Sequence, residues 1–196
     1  MKGPDAVFDL IKFYLAQLTI TRADKILFVA DGARWIWNRV PELIKSLGLA
    51  ATQFYLLFDF YHAVEHLAKI ADLRTGWKKA QRKKWVKKHR RLLLKGKIDD
   101  VITSIRSICR GRKSKKLKTE KNYFKRNRKR IQYSLISSLG LPIGSGAMES
   151  AIRRVVNLRL KGASIYWRKE TAEAMLLLRS FYKAGRWEML NSFASS

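Results

Sequence analysis

The chain is poor in the residues that cross-link, kink or acidify a protein. Its 196 residues include one cysteine, Cys109, three prolines and three histidines, and 15 acidic residues stand against 42 basic ones. A single thiol excludes an intrachain disulfide and any cysteine-rich zinc site, and it suits a reducing compartment. No apolar run approaches the ~20 residues that a membrane-spanning helix needs, so no membrane partner is expected. The opening stretch, Met1-Lys2-Gly3-Pro4-Asp5, has no basic segment leading into an apolar one, and no secretory signal is expected. What is present is a hydrophobic fraction of 47%, which suits a globular core. The length suits one ordinary domain, or one domain with a large insertion.

The formal net charge is +27, and its distribution says more than its size. Residues 1–73 hold eight Lys/Arg and eight Asp/Glu, residues 74–130 hold 25 and three, and residues 131–196 hold nine and four. The middle segment therefore carries +22 and repels itself without counter-charge. Nucleic-acid phosphate is the commonest partner for such a footprint. Backbone binding, blind to sequence and sensitive to salt, is expected from Lys78, Lys79, Arg82, Lys83, Lys84, Lys87, Lys88, Arg90, Arg126, Arg128, Lys129 and Arg130. Trp77, Trp85, Tyr123, Phe124 and Tyr133 are interleaved with these cations. They read as a helical core in preference to a platform for stacked bases.

Apolar spacing predicts a helix over 5–18, a strand over 25–30, a helix over 41–47 with Pro41 in its first turn, and a second strand over 53–58. Trp35-Ile36-Trp37 reads as a separate turn. Strand, helix, strand within about 35 residues is the spacing of a parallel βαβ unit, with both strand carboxyl ends on one edge. From residue 61 the pattern is helical: 62–72, a basic stretch over 78–95, then 98–108, 120–138, 147–160 and 169–184. Residues 110–118 read as a solvated loop.

Three places offer chemistry. Asp31 ends the first apolar run and precedes Gly32, the edge where open α/β sheets place ligands, although Asp-Gly is also an ordinary turn pair. Asp59-Phe60-Tyr61-His62 ends the second run. Its continuation, His62-Ala-Val-Glu65-His66, matches the His-x-x-Glu-His pattern of inverted zinc peptidases. No third zinc ligand is evident, and nothing in peptidase chemistry calls for a strongly cationic segment; His66 also reads as a helix-face packing residue. Glu149 follows Gly144-Ser-Gly146 in the first turn of a helix, where a carboxylate also complements the helix dipole.

Taken in order, these motifs resemble a known family. They run Asp31-Gly-Ala-x-Trp-Ile-Trp, then Asp59-Phe-Tyr-His62-Ala-x-Glu-His-Leu, then a basic helical segment. Ile143-Gly-Ser-Gly-x-x-Glu149-Ser-Ala and Arg159-Leu-Lys161-Gly-Ala-Ser-x-x-Trp167 complete the series. The series resembles bacterial insertion-sequence transposases of the DDE type, closest to the Kra-like and Lre-like groups, over most of residues 23–190. The resemblance implies a ribonuclease H-like α/β fold, DNA at element ends and target as partner, self-association, and a bacterial cytoplasmic, nucleoid-associated location. It implies Mg²⁺ or Mn²⁺ held by Asp31 as the second aspartate and by Glu149. Asp59 and His62 match an accessory Asp-x-x-His motif of related Mutator-like transposases. Two such ions would clamp the attacking and leaving oxygens of a phosphodiester in line.

The first aspartate of that family has no counterpart here. Only 30 residues precede Asp31, and Asp5, Asp9 and Asp24 end no plausible strand. The expectation is therefore a C-terminal portion of a transposase, inactive alone. It would have a partial ribonuclease H-like core (1–60), a basic all-α insertion (61–140) and C-terminal helices completing the catalytic core (141–196). A non-catalytic nucleic-acid-binding remnant or regulator is the first rival, and a zinc peptidase the second.

Overall fold

The computed structural model describes residues 3–111, 114–162 and 165–188. Two short runs rich in aliphatic and aromatic side chains form the strands, β1 (Ile26–Ala30) and β2 (Phe54–Phe58). They pair in parallel, with Ile26 opposite Phe54 and Ala30 opposite Phe58. Helix α1 (Gly3–Gln17) precedes them and α2 (Arg34–Ser46) connects them. Trp35-Ile36-Trp37 is the first turn of α2 and not a separate turn, and Pro41 lies inside the helix. Proline removes one backbone donor. The helix nevertheless runs through it, because Trp37, Val40, Leu43 and Ile44 bury a common face. Gly48, at φ 65°, ends it in the left-handed conformation that glycine tolerates.

The period-2 alternation of the strands splits their side chains between two clusters. Ile26, Phe28, Phe54 and Leu56 pack with Trp37, Val40 and Ile44 of α2 and with Phe8 of α1. Leu27, Val29, Tyr55 and Leu57 face the other way, into a larger cluster. That cluster is built by α3 (Phe60–Asp72), α4 (Lys79–Leu94), α5 (Ile98–Cys109), α6 (Lys115–Asn127) and α7 (Tyr133–Ser138). Its fully buried members include Phe58, Leu67, Ile70, Leu93, Ile105, Phe124, Tyr133 and Ile136. At ~1.5–3 kcal/mol for each large side chain removed from water, this cluster outweighs anything a two-stranded ladder supplies.

That distribution corrects the expected fold class. A partial ribonuclease H-like βαβ core bearing an all-α insertion does not describe the chain. Among the described residues the sheet stops at two strands and helices dominate. Helices α3–α7, expected to be an appendage, instead share the main core with β2. The buried faces of those helices carry the apolar content that a larger sheet would otherwise cover.

The chain divides into two compact units, residues 1–144 and 145–196. In the second unit, α8 (Gly146–Ile152) runs through a π-helical turn (Arg153–Asn157) into α9 (Leu158–Leu160), and α10 (Lys169–Lys183) follows. Arg179 of α10 donates from Nε to the Val155 carbonyl at 2.9 Å and also bonds the Arg154 carbonyl. These bonds serve carbonyls at the place where the turn widens. No described helix is long and apolar enough to cross a membrane.

Candidate nucleic-acid interface

The parallel register places Asp31 and Asp59 one residue beyond the last ladder pair, on the same edge, as the spacing predicts. Their environments differ. Asp31 is half-buried, and its carboxylate turns into its own loop, where Oδ1 accepts the Ala33 N–H at 2.9 Å. The Asp31 carbonyl accepts the Trp37 indole N–H at 2.6 Å, which ties the loop to α2. Asp59 is fully buried and caps α3, with Oδ1 accepting the His62 N–H at 3.0 Å. The His62 ring nitrogen Nδ1 lies 3.3 Å from the same oxygen. The expected accessory pair is thus a helix cap with a histidine beside it.

Glycines let other segments close on this edge. A Cβ on Gly32 would stand 2.2 Å from Tyr123 Cζ, and the Gly32 N–H donates to the Tyr123 hydroxyl at 2.7 Å. A Cβ on Gly144 would meet the Tyr61 ring at 2.8 Å and Asp59 Oδ2 at 3.4 Å. The neighbouring Ile143 carbonyl accepts the Phe60 N–H at 3.1 Å. So the start of the Ile143-Gly-Ser-Gly motif does meet the Asp59 motif. Glu149 lies five residues beyond Gly144, exposed in the first turn of α8 in the second unit.

Tyr123 joins the layers. Its ring packs edge-on to Phe58 and stacks on His66 at 3.7 Å between centroids, with the Arg126 guanidinium 5.5 Å from its centre. His66 Nδ1 is 2.5 Å from Glu120 Oε2. Burial pushes the His66 pKa down, the Glu120 carboxylate opposes that shift, and Lys69 adds to it. Burial likewise pushes the Tyr123 hydroxyl up. His66 is therefore a packing residue bound to α6, while Glu65 is exposed. This leaves the His-x-x-Glu-His pattern without two free zinc ligands.

The strand-end aspartates of the first unit offer Mg²⁺ or Mn²⁺ little on their own. Among the described residues no group of three or more His, Cys, Asp or Glu side chains could hold a metal ion. Asp31 is turned to its own loop and Asp59 is committed as a cap. Within the first unit these two aspartates form no two-metal centre by themselves, and no cleavage step follows from them alone. Ala163 and Ser164 of the last quoted motif lie outside the described residues.

No family model, curated protein or solved structure matches the chain. The side chains themselves carry the functional reading, and the cations are the largest group. Lys78, the N-cap of α4, and Lys79, Lys83, Lys84, Lys87, Lys88 and Arg90 along it are exposed, and α4 contains no acid. Two of the expected DNA contacts are partly used internally. Arg82 bonds the Trp77 carbonyl at 3.1 Å and approaches Asp72 at 3.5 Å. Arg128 forks onto Asp99 with two bonds of 2.7 Å. Arg126 and Lys129 remain exposed, and Arg130 is half-buried. Four of the five interleaved aromatics serve the core as expected: Phe124 and Tyr133 are buried, and Trp85 and Tyr123 pack against the cluster, while Trp77 rests on Trp85 and Arg74. Arg34 and Asn38 carry no signal in the sequence, since they belong to the charge-balanced first third of the chain. Only the fold brings them beside α6.

Proposed function

We propose that this chain is a DNA-binding component of insertion-sequence transposition, gripping the phosphate backbone with the outer faces of α4 and α6. One observation carries the binding reading. The helices over residues 74–130 close an apolar core on their inner side and present exposed Lys and Arg outward, of which Arg82 and Arg128 alone are seen in ion pairs among the described residues. Such a surface is held together from within, so its repulsion is free to be relieved by a polyanion. The link to transposition rests on the order of the sequence motifs alone.

A gel-retardation or anisotropy series on duplex DNA over a range of salt tests the binding. Neutralising 6–10 phosphates predicts a ~10³–10⁵-fold affinity loss between about 50 and 200 mM salt. A variant with Lys83, Lys84, Lys87 and Lys88 changed to Gln should bind weakly at all salt concentrations while melting normally. Salt-independent binding, or none, removes the proposal. Mg²⁺- or Mn²⁺-dependent nicking that vanishes in Asp31→Asn and Glu149→Gln would replace it with a catalytic role.

A further inference from the structure

Beside Gly32 the chain leaves a cavity of about 410 Å³, lined by Trp37, Asn38 and Asn127 and by three arginines, Arg34, Arg126 and Arg130. No acid lines it, and none of the three guanidinium groups forms an ion pair among the described residues. Arg130 is nonetheless held firmly. Its guanidinium lies 4.3 Å from the centre of the Trp37 ring, and Nη1 donates to Asn127 Oδ1 at 3.4 Å. Asn127 is itself buried and is tied by Nδ2 to the Tyr123 carbonyl at 3.0 Å. The Arg130 Nε is buried with no hydrogen-bond partner. Burial, with the Arg126 charge beside it, pushes the Arg130 pKa down.

A partly buried guanidinium beside the Arg126 charge, with a buried donor unmet, is a costly arrangement unless an anion completes it. We propose that this cavity seats one phosphodiester group of a nucleic-acid strand, with Arg34, Arg126 and Arg130 donating to its oxygens. Arginine suits that task because its planar fork matches two phosphate oxygens at once. The volume lies within the range of small-ligand sites and exceeds what a phosphate alone requires, leaving room for part of the adjoining sugar. Arg126 also lines a second cavity, of about 470 Å³, with Arg106 of α5, Lys125, Lys129 and the Asp99–Arg128 pair. A strand leaving the first site therefore meets further cations on α5, the end of α6 and the turn after it. The site rests on the nucleic-acid reading above.

Two measurements on the full chain separate the two ideas. The first follows the arginine Nε–H resonances by NMR as inorganic phosphate is added. The Arg130 signal should move saturably, and Arg34→Gln, which alters an exposed side chain, should weaken that response. The second is a DNA-binding salt series on native protein and the Arg34→Gln/Arg130→Gln variant, each checked by its melt. Affinity should fall about tenfold and the salt slope by about one contact. Arg130→Lys separates charge from fork geometry and should recover only part of the loss. Native protein that binds no DNA overturns the functional reading and the phosphodiester assignment together. Normal DNA binding by the double variant, with the Arg130 signal unmoved by phosphate, overturns the cavity site alone.

Discussion

In the unit of residues 1–144, side chains such as Leu57, Phe58, Leu67, Phe124 and Tyr133 are shut off from solvent. Between Ser145 and Glu188 no described residue is buried, and Ile152, Leu158, Leu177, Tyr182 and Trp187 stand exposed. The first unit also carries the +22 segment. The more highly charged unit is thus the better packed one, because each basic helix lays its apolar stripe inward and its cations outward. Charge density and stability are set by different faces of the same helices.

The largest effect should expose that contrast directly. Phe124→Ala removes a ring packed at the centre of the helical cluster and should cost ~3–5 kcal/mol of unfolding free energy. Leu177→Ala in α10, at 55% exposure, should cost less than ~0.5–1 kcal/mol. Urea melts of both variants against native check this, and equal losses would mean that the second unit is as well packed as the first. Gly32→Ala should come next. Its methyl would overlap the Tyr123 ring, so Tyr123 must move and lose its bond to the Gly32 N–H; overpacking of this kind costs ~1–3 kcal/mol. Combining it with Tyr123→Leu should recover part of that loss, which a double-mutant cycle measures.

How far these contacts were legible in the chain follows from their range. Ile26–Ala30, Phe54–Phe58 and their parallel pairing follow from two short apolar runs a fixed distance apart, and α3, α4, α5 and α10 follow from their apolar spacing. By contrast, α6 begins at Lys115 inside the stretch read as a solvated loop, and 120–138 is broken by a 3-10 turn at Arg128–Arg130. The strand-end position of Asp31 and Asp59 came with them. The role of α3–α7 was not legible, because one apolar stripe reads the same whether its helix covers a large sheet or closes on its neighbours. The extension of α2 through Pro41 was hidden by the usual weight given to proline as a boundary. The Arg34–Arg126–Arg130 cavity depends on Gly32 admitting Tyr123 from 91 residues away, and no local pattern encodes that approach.

The histidines give a smaller effect, confined to the first unit. Burial holds both His66 and His89 below their ordinary pKa; the Glu120 carboxylate opposes this at His66, and the Trp85 carbonyl, 2.7 Å from Nδ1, opposes it at His89. Lys69 and His62 near His66, and Lys88 near His89, push the same way as burial. The unfolded chain therefore takes up protons that the folded chain refuses once the pH drops below about 6.5. Stability should be complete above that value and decline as the pH falls through it toward the lower folded values. Urea midpoints measured on either side of about pH 6.5 check the sign, and His89→Gln should flatten the profile.

The smallest structural effect concerns Asp99, whose fork with Arg128 is exposed on both sides. Asp99→Asn removes the ion pair but should cost no more than ~0–1 kcal/mol, the usual worth of a surface pair. Arg128 keeps its pKa raised only while the Asp99 carboxylate holds it, and the variant frees that guanidinium to face solvent. DNA affinity should therefore rise as stability slips. The same substitution would separate the two faces of the helical unit: a large stability loss would make the outer ion pairs part of its framework, whereas a small loss with tighter DNA binding leaves the framework inside and the partner outside.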